Sequence, residues 1–148
     1  MKVRIQKKAF DFGNEANIFA TNQANMGAIV TFSGIVRSLA DIRLSYMDIE
    51  HYPAMTEKTI TKIVNEAANR WSLGDILVIH RFGRLAPGDL IMMVATASKH
   101  RKEAFEAAEF LMDYLKSRAP FWKKEVTKHS RDWVVSKAAD ETALKRWR

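Results

Sequence analysis

The chain has 148 residues, a length that usually forms one domain and buries a substantial core. With 47% hydrophobic and 28% charged residues, its composition excludes an intrinsically disordered chain. Lys and Arg number 24 against 17 Asp and Glu, so the formal net charge is +7 and an anionic partner is expected. Nucleic acid, an acidic protein and a phosphorylated small molecule all fit that charge. We expect a single domain over residues 1–148.

The sequence has no cysteine, and this absence excludes several kinds of chemistry. A disulfide framework, a thiolate zinc site, a Cys nucleophile and a persulfide carried on this chain are all ruled out. The four histidines, at positions 51, 80, 100 and 129, lack the spacing of a helical metal site, and no Gly-rich phosphate loop is present. We therefore expect neither a metal nor a cofactor. Because no signal-peptide pattern or membrane-length apolar run occurs, the expected location is the cytoplasm.

Two strands and a helix are predicted in the first half of the chain. Residues 28–36 are rich in β-branched side chains and predict a strand, in which Gly34 marks a bulge or a close backbone approach. After a polar loop at 37–43, residues 43–51 predict a second strand. Thr56 is the predicted N-cap of a helix whose apolar residues follow at helical spacing: Ile60, Ile63, Val64, Ala67, Ala68 and Trp71.

An antiparallel pair of strands and a second helix are predicted next. Residues 76–82 and 90–97 are apolar runs joined through Pro87-Gly88, a dipeptide typical of a type II turn. A helix at 99–118 is expected to begin after Ser98 as its cap, and Pro120 lies just beyond its end. The predicted apolar face of this helix is formed by Phe105, Ala108, Met112 and Leu115.

The C-terminal part predicts short strands at 121–126 and 133–135 and a short helix at 140–148. Strands and helices are mixed along the chain without a regular βαβ alternation. The predicted fold class is therefore α+β.

Basic residues crowd the start of the second predicted helix. Lys99, His100, Arg101 and Lys102 fall in its first turn, where the free N–H groups and the helix dipole already create positive potential. Cations there are unfavourable by a few tenths to ~1 kcal/mol each, and a bound anion reverses the sign of that effect. The pattern indicates either an anion site or a solvated basic turn.

A second basic group lies at the far end of that helix. Lys116 follows Met112 by one turn, and Arg118 precedes the Pro120 stop. A half-buried Lys among other cations has a lowered pKa and can act as an acid, base or nucleophile near neutral pH. The alternative is that Lys116 and Arg118 complement the negative end of the helix dipole.

Most other candidate side chains are expected to be structural. His51 and His80 lie in strand-like segments, where a hydrogen-bonded structural histidine is expected rather than a catalyst. Arg37 differs, because it follows an apolar strand where a loop begins, and such ends commonly present functional groups. Five aromatic residues are expected in the core rather than on a ligand platform: Phe32, Trp71, Phe105, Phe110 and Trp122.

Several segments, taken in order, resemble the large, catalytic subunit of molybdopterin synthase. They are 27–37 (GAIVTFSGIVR), 50–58 (EHYPAMTEK), 69–71 (NRW), 78–83 (VIHRFG), 87–89 (PGD), 98–101 (SKHR) and 113–125 (DYLKSRAPFWKKE). The resemblance extends from about residue 27 to the C-terminal 145–147 (KRW), which is most of the chain. The Lys-containing segment that ends in Pro-Phe-Trp-Lys is the most specific part.

The resemblance implies both a fold and an activity. The fold is an α/β-hammerhead-like domain with an additional antiparallel β-sheet subdomain, in a homodimer of large subunits. A small ubiquitin-like subunit at each end would complete a heterotetramer and bring sulfur as the thiocarboxylate of its Gly-Gly tail. The substrate would be cyclic pyranopterin monophosphate (precursor Z), and two sulfur transfers would make the dithiolene of molybdopterin. A chain without cysteine agrees with sulfur supplied by a partner.

The resemblance also implies roles for individual residues. Lys116 and Lys123 match the two active-site lysines, and both would also contact substrate. Lys116 would transfer a proton or orient the thiocarboxylate, and Lys123 would stabilise developing negative charge. The other implied substrate-binding residues are Ile35, Val36, Arg37, His100, Arg101, Lys124 and Glu125. Ile35 departs from the family pattern, in which a polar or basic residue is common, and the divergent loop 38–42 is assigned no role.

Two other functions remain open from the sequence. A basic nucleic-acid-binding module fits the charge, although no aromatic RNA-binding stretch, helix-turn-helix signal or long Lys/Arg tract is present. A noncatalytic scaffold that binds a ubiquitin-like tail would share the partner but show no turnover.

Overall fold

Helices and strands are mixed along the chain in the computed structural model, which describes residues 1–38, 43–135 and 137–147. In those ranges the elements are, in order, β1 (Lys2–Gln6), α1 (Phe12–Thr21), β2 (Ala28–Ile35), β3 (Leu44–His51), α2 (Pro53–Trp71), β4 (Asp75–Arg81), β5 (Gly83–Leu85), β6 (Leu90–Ser98), α3 (Arg101–Ser117), β7 (Phe121–Thr127), β8 (Arg131–Trp133) and α4 (Ala138–Lys145). The centre of the predicted loop at 37–43, positions 39–42, lies outside the described residues.

The strands form two four-stranded sheets. The first has the order β1-β4-β6-β2, in which β1 runs parallel to β4 and the other pairs are antiparallel. The second has the order β5-β3-β7-β8 and is antiparallel throughout. The predicted α+β class is confirmed, and the second sheet agrees with the additional antiparallel subdomain that the family resemblance implies.

One apolar core serves both sheets. Side chains on α2 and α3 pack against β4 and β6 of the first sheet and against β3 and β5 of the second. The strand period of two divides β4 between two faces: Ile76 and Val78 join this core, whereas Leu77 and Ile79 pack with Phe19 of α1 on the other face. Burial on both faces explains why β4 is a continuous apolar run.

The N-terminal region forms two elements that its pattern does not predict. β1 is an edge strand of five residues, too short for its alternation of Val3 and Ile5 with polar residues to be distinctive. α1 has an ordinary start, because the Asp11 carboxylate accepts a hydrogen bond from the Asn14 N–H at 3.0 Å.

The first long helix begins earlier than predicted. α2 starts at Pro53, with Tyr52 as its N-cap residue, so the prediction that Thr56 caps it is wrong. Thr56 is fully buried, and its hydroxyl donates to the carbonyl oxygen of Pro120 at 3.3 Å. Proline suits the first helical position because its missing N–H has no partner there in any helix. The hydrogen bond from Thr56 to Pro120 ties the start of α2 to the segment between α3 and β7.

The predicted cap of α3 is also wrong. Ser98 ends β6, its hydroxyl donates to the His100 carbonyl oxygen, and His100 is the N-cap residue without a side-chain cap. The predicted apolar face is partly wrong, because Phe105 is 60% exposed. The buried positions of α3 combine three alanines with three large apolar side chains: Ala104, Ala107, Ala108, Phe110, Leu111 and Leu115.

The predicted antiparallel pair and its turn are confirmed. β4 pairs with β6, and between them β5 crosses to the second sheet, where it pairs with β3. Gly88 has a positive φ of 90°, and the Asp89 N–H donates to the Ala86 carbonyl oxygen at 3.0 Å, as a type II turn requires. Near the C-terminus, the strand predicted at 133–135 forms at 131–133 instead.

Candidate active site

Lys116 and Lys123 line the same cavity, of about 340 Å³. α3 places Lys116 in its last turn, and Pro120 then turns the chain into β7, where Lys123 is the third residue. The C-terminal segment also lines the cavity, through residues that include Val134, Val135 and Asp140. The structure therefore brings together the two lysines that the family resemblance selects, from a helix end and a strand start.

The pairing of β7 with β3 decides which way the basic side chains of β7 project. Lys123 lies directly opposite Ile49, which is 2% exposed, and directly opposite residues of an antiparallel pair share a face. Lys123 thus projects toward the core side. Lys124 lies opposite Asp48 and Trp133 on the other face, with its Nζ 5.1 Å from the centroid of the Trp133 ring. Lys124 accordingly projects away from the Lys123 side.

The burial of Lys116 differs from the sequence-based expectation. Lys116 is exposed, so the prediction that it is half-buried is wrong, and Lys123 is the half-buried one. Burial, and after it the nearby charge of Lys116, lower the pKa of Lys123 to about 8, while Asp140 opposes both effects. An ammonium with a pKa of about 8 is mostly protonated at neutral pH and can give up its proton readily.

Arg37 and Glu125 lie in an adjoining cavity of about 420 Å³. Val134, Val135 and Lys137 line both cavities, so a common wall separates Arg37 and Glu125 from the two lysines. Glu125 follows Lys123 by two residues on β7 and therefore projects from the same face of the strand. Four of the proposed site residues thus lie on the two sides of one short segment.

The backbone before Arg37 is held firmly. The Val36 N–H donates to the Asp89 carbonyl oxygen at 2.9 Å, and its carbonyl oxygen accepts from the Gly88 N–H at 2.8 Å. The Val36 side chain is 2% exposed and packs in the core, whereas Ile35 is 58% exposed. The register of β2 shifts between Gly34 and Ile35, at the glycine where a bulge was expected. These contacts position the exposed Arg37 where the strand ends.

His100 and Arg101 lie at the opposite end of α3. The helical rise places Arg101 about 22 Å from Lys116 along the axis, since fifteen residues separate them. His100 lines a cleft of about 440 Å³ together with Arg70, Lys99 and Glu103. Within one chain, His100 and Arg101 are therefore not part of the lysine cavity.

The start of α3 is less crowded with cations than the sequence predicts. Lys99 and His100 precede the helix, and Glu103 introduces an acidic residue into its first turn. His100 supplies no side-chain cap, so its helix keeps free N–H groups at the surface. An anion site there remains a prediction.

His80 also lines the lysine cavity, although its sequence context indicates only a structural role. Its side chain is 3% exposed, its Nδ1 is 2.8 Å from the Arg81 carbonyl oxygen, and its ring stacks on Phe121 at 3.7 Å between centroids. The expectation of a buried, hydrogen-bonded histidine is thus confirmed for His80, but its place in the cavity wall was missed. A usable signal is its position at the end of an apolar strand, in phase with Ile76 and Val78, which face the main core.

His51 differs from His80. Its Nδ1 is buried without a hydrogen-bond partner among the described residues, so the expectation of a satisfied histidine is wrong there. Its ring lies 4.5 Å from Phe82 and 6.0 Å from Phe121, and it lines a separate cavity with Arg4 and Glu57.

The aromatic residues expected in the core divide into two groups. Phe110 is fully buried and Trp71 packs against the core, as predicted. The prediction is wrong for three others, since Phe32, Phe105 and Trp122 are 43%, 60% and 42% exposed. Arg118 is not in the lysine cavity lining and forms an ion pair with Glu141 at 3.2 Å, which agrees with a structural role.

Two further features bear on function. Within residues 1–38, 43–135 and 137–147, no three His, Asp or Glu side chains lie close enough to hold a metal ion. The same part of the chain contains no helix that is long and apolar enough to span a membrane.

Comparison with known proteins identifies the family. The family model described as MoaE protein matches residues 5–118. A relative from Cereibacter sphaeroides, named molybdopterin synthase catalytic subunit, is 63% identical over 147 residues, which cover 99% of this chain and 100% of the relative.

Two solved structures are similar to this fold. The molybdopterin biosynthesis MoaE protein from Burkholderia ambifaria MC40-6 has a TM-score of 0.84 at 46% identity, covering 99% of this chain and 97% of that one. A chain from the complex of subunits 1 and 2 of the molybdopterin-converting factor of Helicobacter pylori 26695 has a TM-score of 0.77 at 23% identity, covering 91% of each, which shows likeness of fold alone. From the family match and the full-length relative together, the chain belongs to the MoaE protein family.

Proposed function

We propose that the chain is the sulfur-transferring catalytic subunit of a molybdopterin synthase and converts precursor Z to molybdopterin. The observation that supports this most strongly is the cavity shared by Lys116 and Lys123, two coupled cations in a chain without cysteine. The relative that is 63% identical over its whole length has the same activity in its name. Sulfur must come from outside this chain, because no thiol is present to hold it.

The sulfur donor in this proposal is a small ubiquitin-like subunit. Its Gly-Gly tail enters the cavity as a thiocarboxylate, whose negative charge the two lysines offset. The name of the 63% identical relative, a catalytic subunit, supports an assembly with a second kind of subunit. One small subunit at each end of a homodimer of large subunits gives the heterotetramer.

The geometry favours different tasks for the two lysines. Exposed Lys116, which lines the cavity, holds the anionic thiocarboxylate by charge. Half-buried Lys123, with its pKa lowered to about 8, supplies a proton to negative charge that develops during the transfer. This assignment reverses the emphasis drawn from the sequence, in which Lys116 was a candidate for proton transfer.

The remaining substrate contacts are proposed from the family pattern. Arg37 and Glu125, which line the adjoining cavity, bind the pterin. The family pattern adds contacts from Ile35, Val36 and Lys124, none of which lines either cavity. His100 and Arg101 bind the phosphate, and because about 22 Å of helix separates Arg101 from Lys116, the partner copy of the chain supplies them. The homodimer is then required for a complete site.

Two broader assignments belong to the same proposal. Residues 1–148 form one domain, since a single core joins both sheets. The protein acts in the cytoplasm, where a cofactor-synthesising enzyme meets a small-molecule substrate and a protein donor.

Reconstitution tests the proposal. The chain, a thiocarboxylated small subunit and precursor Z are mixed, and dithiolene product is measured. Product is expected from the full mixture and none from the chain alone, even with free sulfide at modest concentration. Turnover by the chain alone contradicts sulfur supply by a partner, and partner binding without turnover indicates a scaffold instead.

Mixing two impaired variants, with substrate below saturation, tests the shared site. Arg101→Ala and Lys116→Ala impair each homodimer, but a heterodimer of the two has one complete site if residue 101 acts across the interface. Random mixing then restores about one quarter of wild-type turnover, because half of the dimers are mixed and each has one intact site. No recovery on mixing contradicts a contribution from the partner copy.

A further inference from the structure

His80 is a buried polar side chain in the wall of the lysine cavity that the proposed chemistry does not use. β4 places it in the first sheet, between Ile5 and Met92 on the neighbouring strands. Its ring stacks on Phe121 of the second sheet at 3.7 Å and an interplanar angle of 13°. Contacts with both sheets fix the position of the ring.

The hydrogen bond of Nδ1 determines which tautomer is present. The Arg81 carbonyl oxygen, 2.8 Å away, can only accept, so Nδ1 is the nitrogen that donates its hydrogen. Burial first, and the charge of Lys123 beside it, lower the pKa of His80 to about 3, so the ring is neutral at the pH of the cell. Nε2 therefore has a free lone pair and acts as an acceptor.

Besides the Ser117 hydroxyl, the His80 ring is a neutral side-chain acceptor among the charged groups of this cavity. Lys116, Lys123 and Lys137 are donors, and Asp140 is an anion that interacts with Lys123. The lysines attract the negatively charged parts of a ligand but offer nothing to its N–H and O–H groups. An acceptor without charge can hold such a group without competing with the lysines for the anion.

We propose that His80 is a substrate-positioning residue, whose Nε2 accepts a hydrogen bond from an N–H or O–H group of the pterin substrate in the lysine cavity. The inference rests on the proposed function and adds that the pterin held by Arg37 and Glu125 extends past their shared wall into the lysine cavity. This hydrogen bond adds a contact to the substrate and fixes the orientation of the pterin ring system relative to Lys123.

Three substitutions separate the acceptor from the ring. His80→Gln places an amide oxygen near the position of Nε2, His80→Met has a similar shape without a strong acceptor, and His80→Phe keeps the ring stack on Phe121 without either nitrogen. His51→Phe is the matched control, because His51 also contacts Phe121 but lines a different cavity.

Binding of precursor Z is measured by calorimetric titration in the complex with a small subunit whose tail ends in an ordinary carboxylate, so that no turnover occurs. His80→Met and His80→Phe are expected to weaken binding by about tenfold, the scale of one lost hydrogen bond. His80→Gln keeps an acceptor and is expected to weaken binding by less than about threefold. His51→Phe should stay within about twofold of wild type. Thermal unfolding of each variant shows whether it is folded.

The order of the variants decides between an acceptor and a packing role. If His80→Phe binds as wild type does and His80→Gln is weaker, the ring acts only in packing and the inference is overturned. If His80→Phe does not fold, the comparison of His80→Gln with His80→Met decides alone, and equal binding by those two overturns the inference. Failure of the wild-type complex to bind precursor Z overturns the proposed function and this inference with it.

Discussion

The two ends of α3 present basic residues in opposite electrostatic settings. At the C-terminal end, Lys116 and Arg118 meet the negative end of the helix dipole, and Arg118 also pairs with Glu141 at 3.2 Å. At the N-terminal end, Arg101 meets the positive end, and His100 makes no capping hydrogen bond. The fold thus stabilises the cations at one end and leaves those at the other dependent on a bound anion or on solvent.

The comparison distinguishes residues that a fold needs from residues that a ligand needs. Arg118 has a structural explanation in its ion pair and helix end, whereas Arg101 has none among the residues that the structure describes. Lys116 lies between these cases, because its charge suits the helix end and also lowers the pKa of Lys123 across the cavity. Substitutions at the two ends should therefore change activity, binding and stability in different proportions.

The largest effect on activity is expected for Lys123, the half-buried lysine that shares a cavity with Lys116 at the C-terminal end of α3. Lys123→Met should lower product formation by at least ~10²-fold, the usual scale for a lost proton-transfer group. Unfolding temperature should not fall at pH 7, because the substitution removes a charge that burial disfavours. Single-turnover product formation and thermal unfolding measure the two effects. Near-normal turnover would show that Lys123 has no part in the chemistry.

A substitution at the N-terminal end of α3 should affect substrate binding rather than the chemical step. Arg101→Ala should weaken substrate binding by about 1–3 kcal/mol, the scale of a lost charge-assisted hydrogen bond. Folding stability should hardly change, because the substitution removes a cation from the positive end of a helix. Calorimetric titration with substrate checks the first effect and thermal unfolding the second. Unchanged affinity places the phosphate elsewhere.

A shift in the pH dependence of turnover tests whether the charge of Lys116 lowers the pKa of Lys123. If protonated Lys123 is the active form, turnover falls as the pH rises through its pKa of about 8. Lys116→Ala removes a like charge that lowers this pKa, so the fall should move to higher pH. Lys116→Arg keeps the charge, so turnover should fall at the same pH as in the wild type. The pH profile of single-turnover product formation checks both, and identical profiles for the three proteins contradict the coupling.

The sequence predicts the elements around this helix better than it predicts their ends. Strands at 28–36 and 43–51 and the stop at Pro120 follow from residue type and are observed within a residue or two. The start of α3 was misjudged, because Ser98 uses its hydroxyl for the His100 carbonyl oxygen. That contact depends on how β6 ends, and a capping residue in the sequence does not reveal it.

The candidate site was predictable in composition but not in arrangement. The family pattern selects Lys116 and Lys123, yet only the pairing of β7 with β3 shows that Lys123 faces inward while Lys124 faces out. Phe105 and Phe110 likewise show that the sequence does not reveal which way a side chain faces, since helical spacing alone cannot decide which of two phenylalanines faces the sheet. For His80, the apolar strand predicts only a structural role, and its place in the cavity wall follows from the arrangement of both sheets.

The smallest effect is expected at Arg118, which shares the C-terminal end with Lys116 and serves as its control. Its guanidinium forms an ion pair with Glu141 at 3.2 Å, and both side chains are well exposed, at 44% and 40%. Exposed pairs of this kind contribute less than ~1 kcal/mol, because solvent screens them and ordering two side chains costs entropy. Arg118→Ala should therefore lower the unfolding free energy by less than ~1 kcal/mol, as measured by urea denaturation.

Turnover of the Arg118→Ala variant should equal that of wild type, since Arg118 does not line the lysine cavity. This result, beside a shifted pH profile for Lys116→Ala, would assign the functional charge at this end of α3 to one residue. If Arg118→Ala shifted the profile as well, the pKa of Lys123 would respond to the total charge of the helix end. The position of Lys116 would then have no special part in the site.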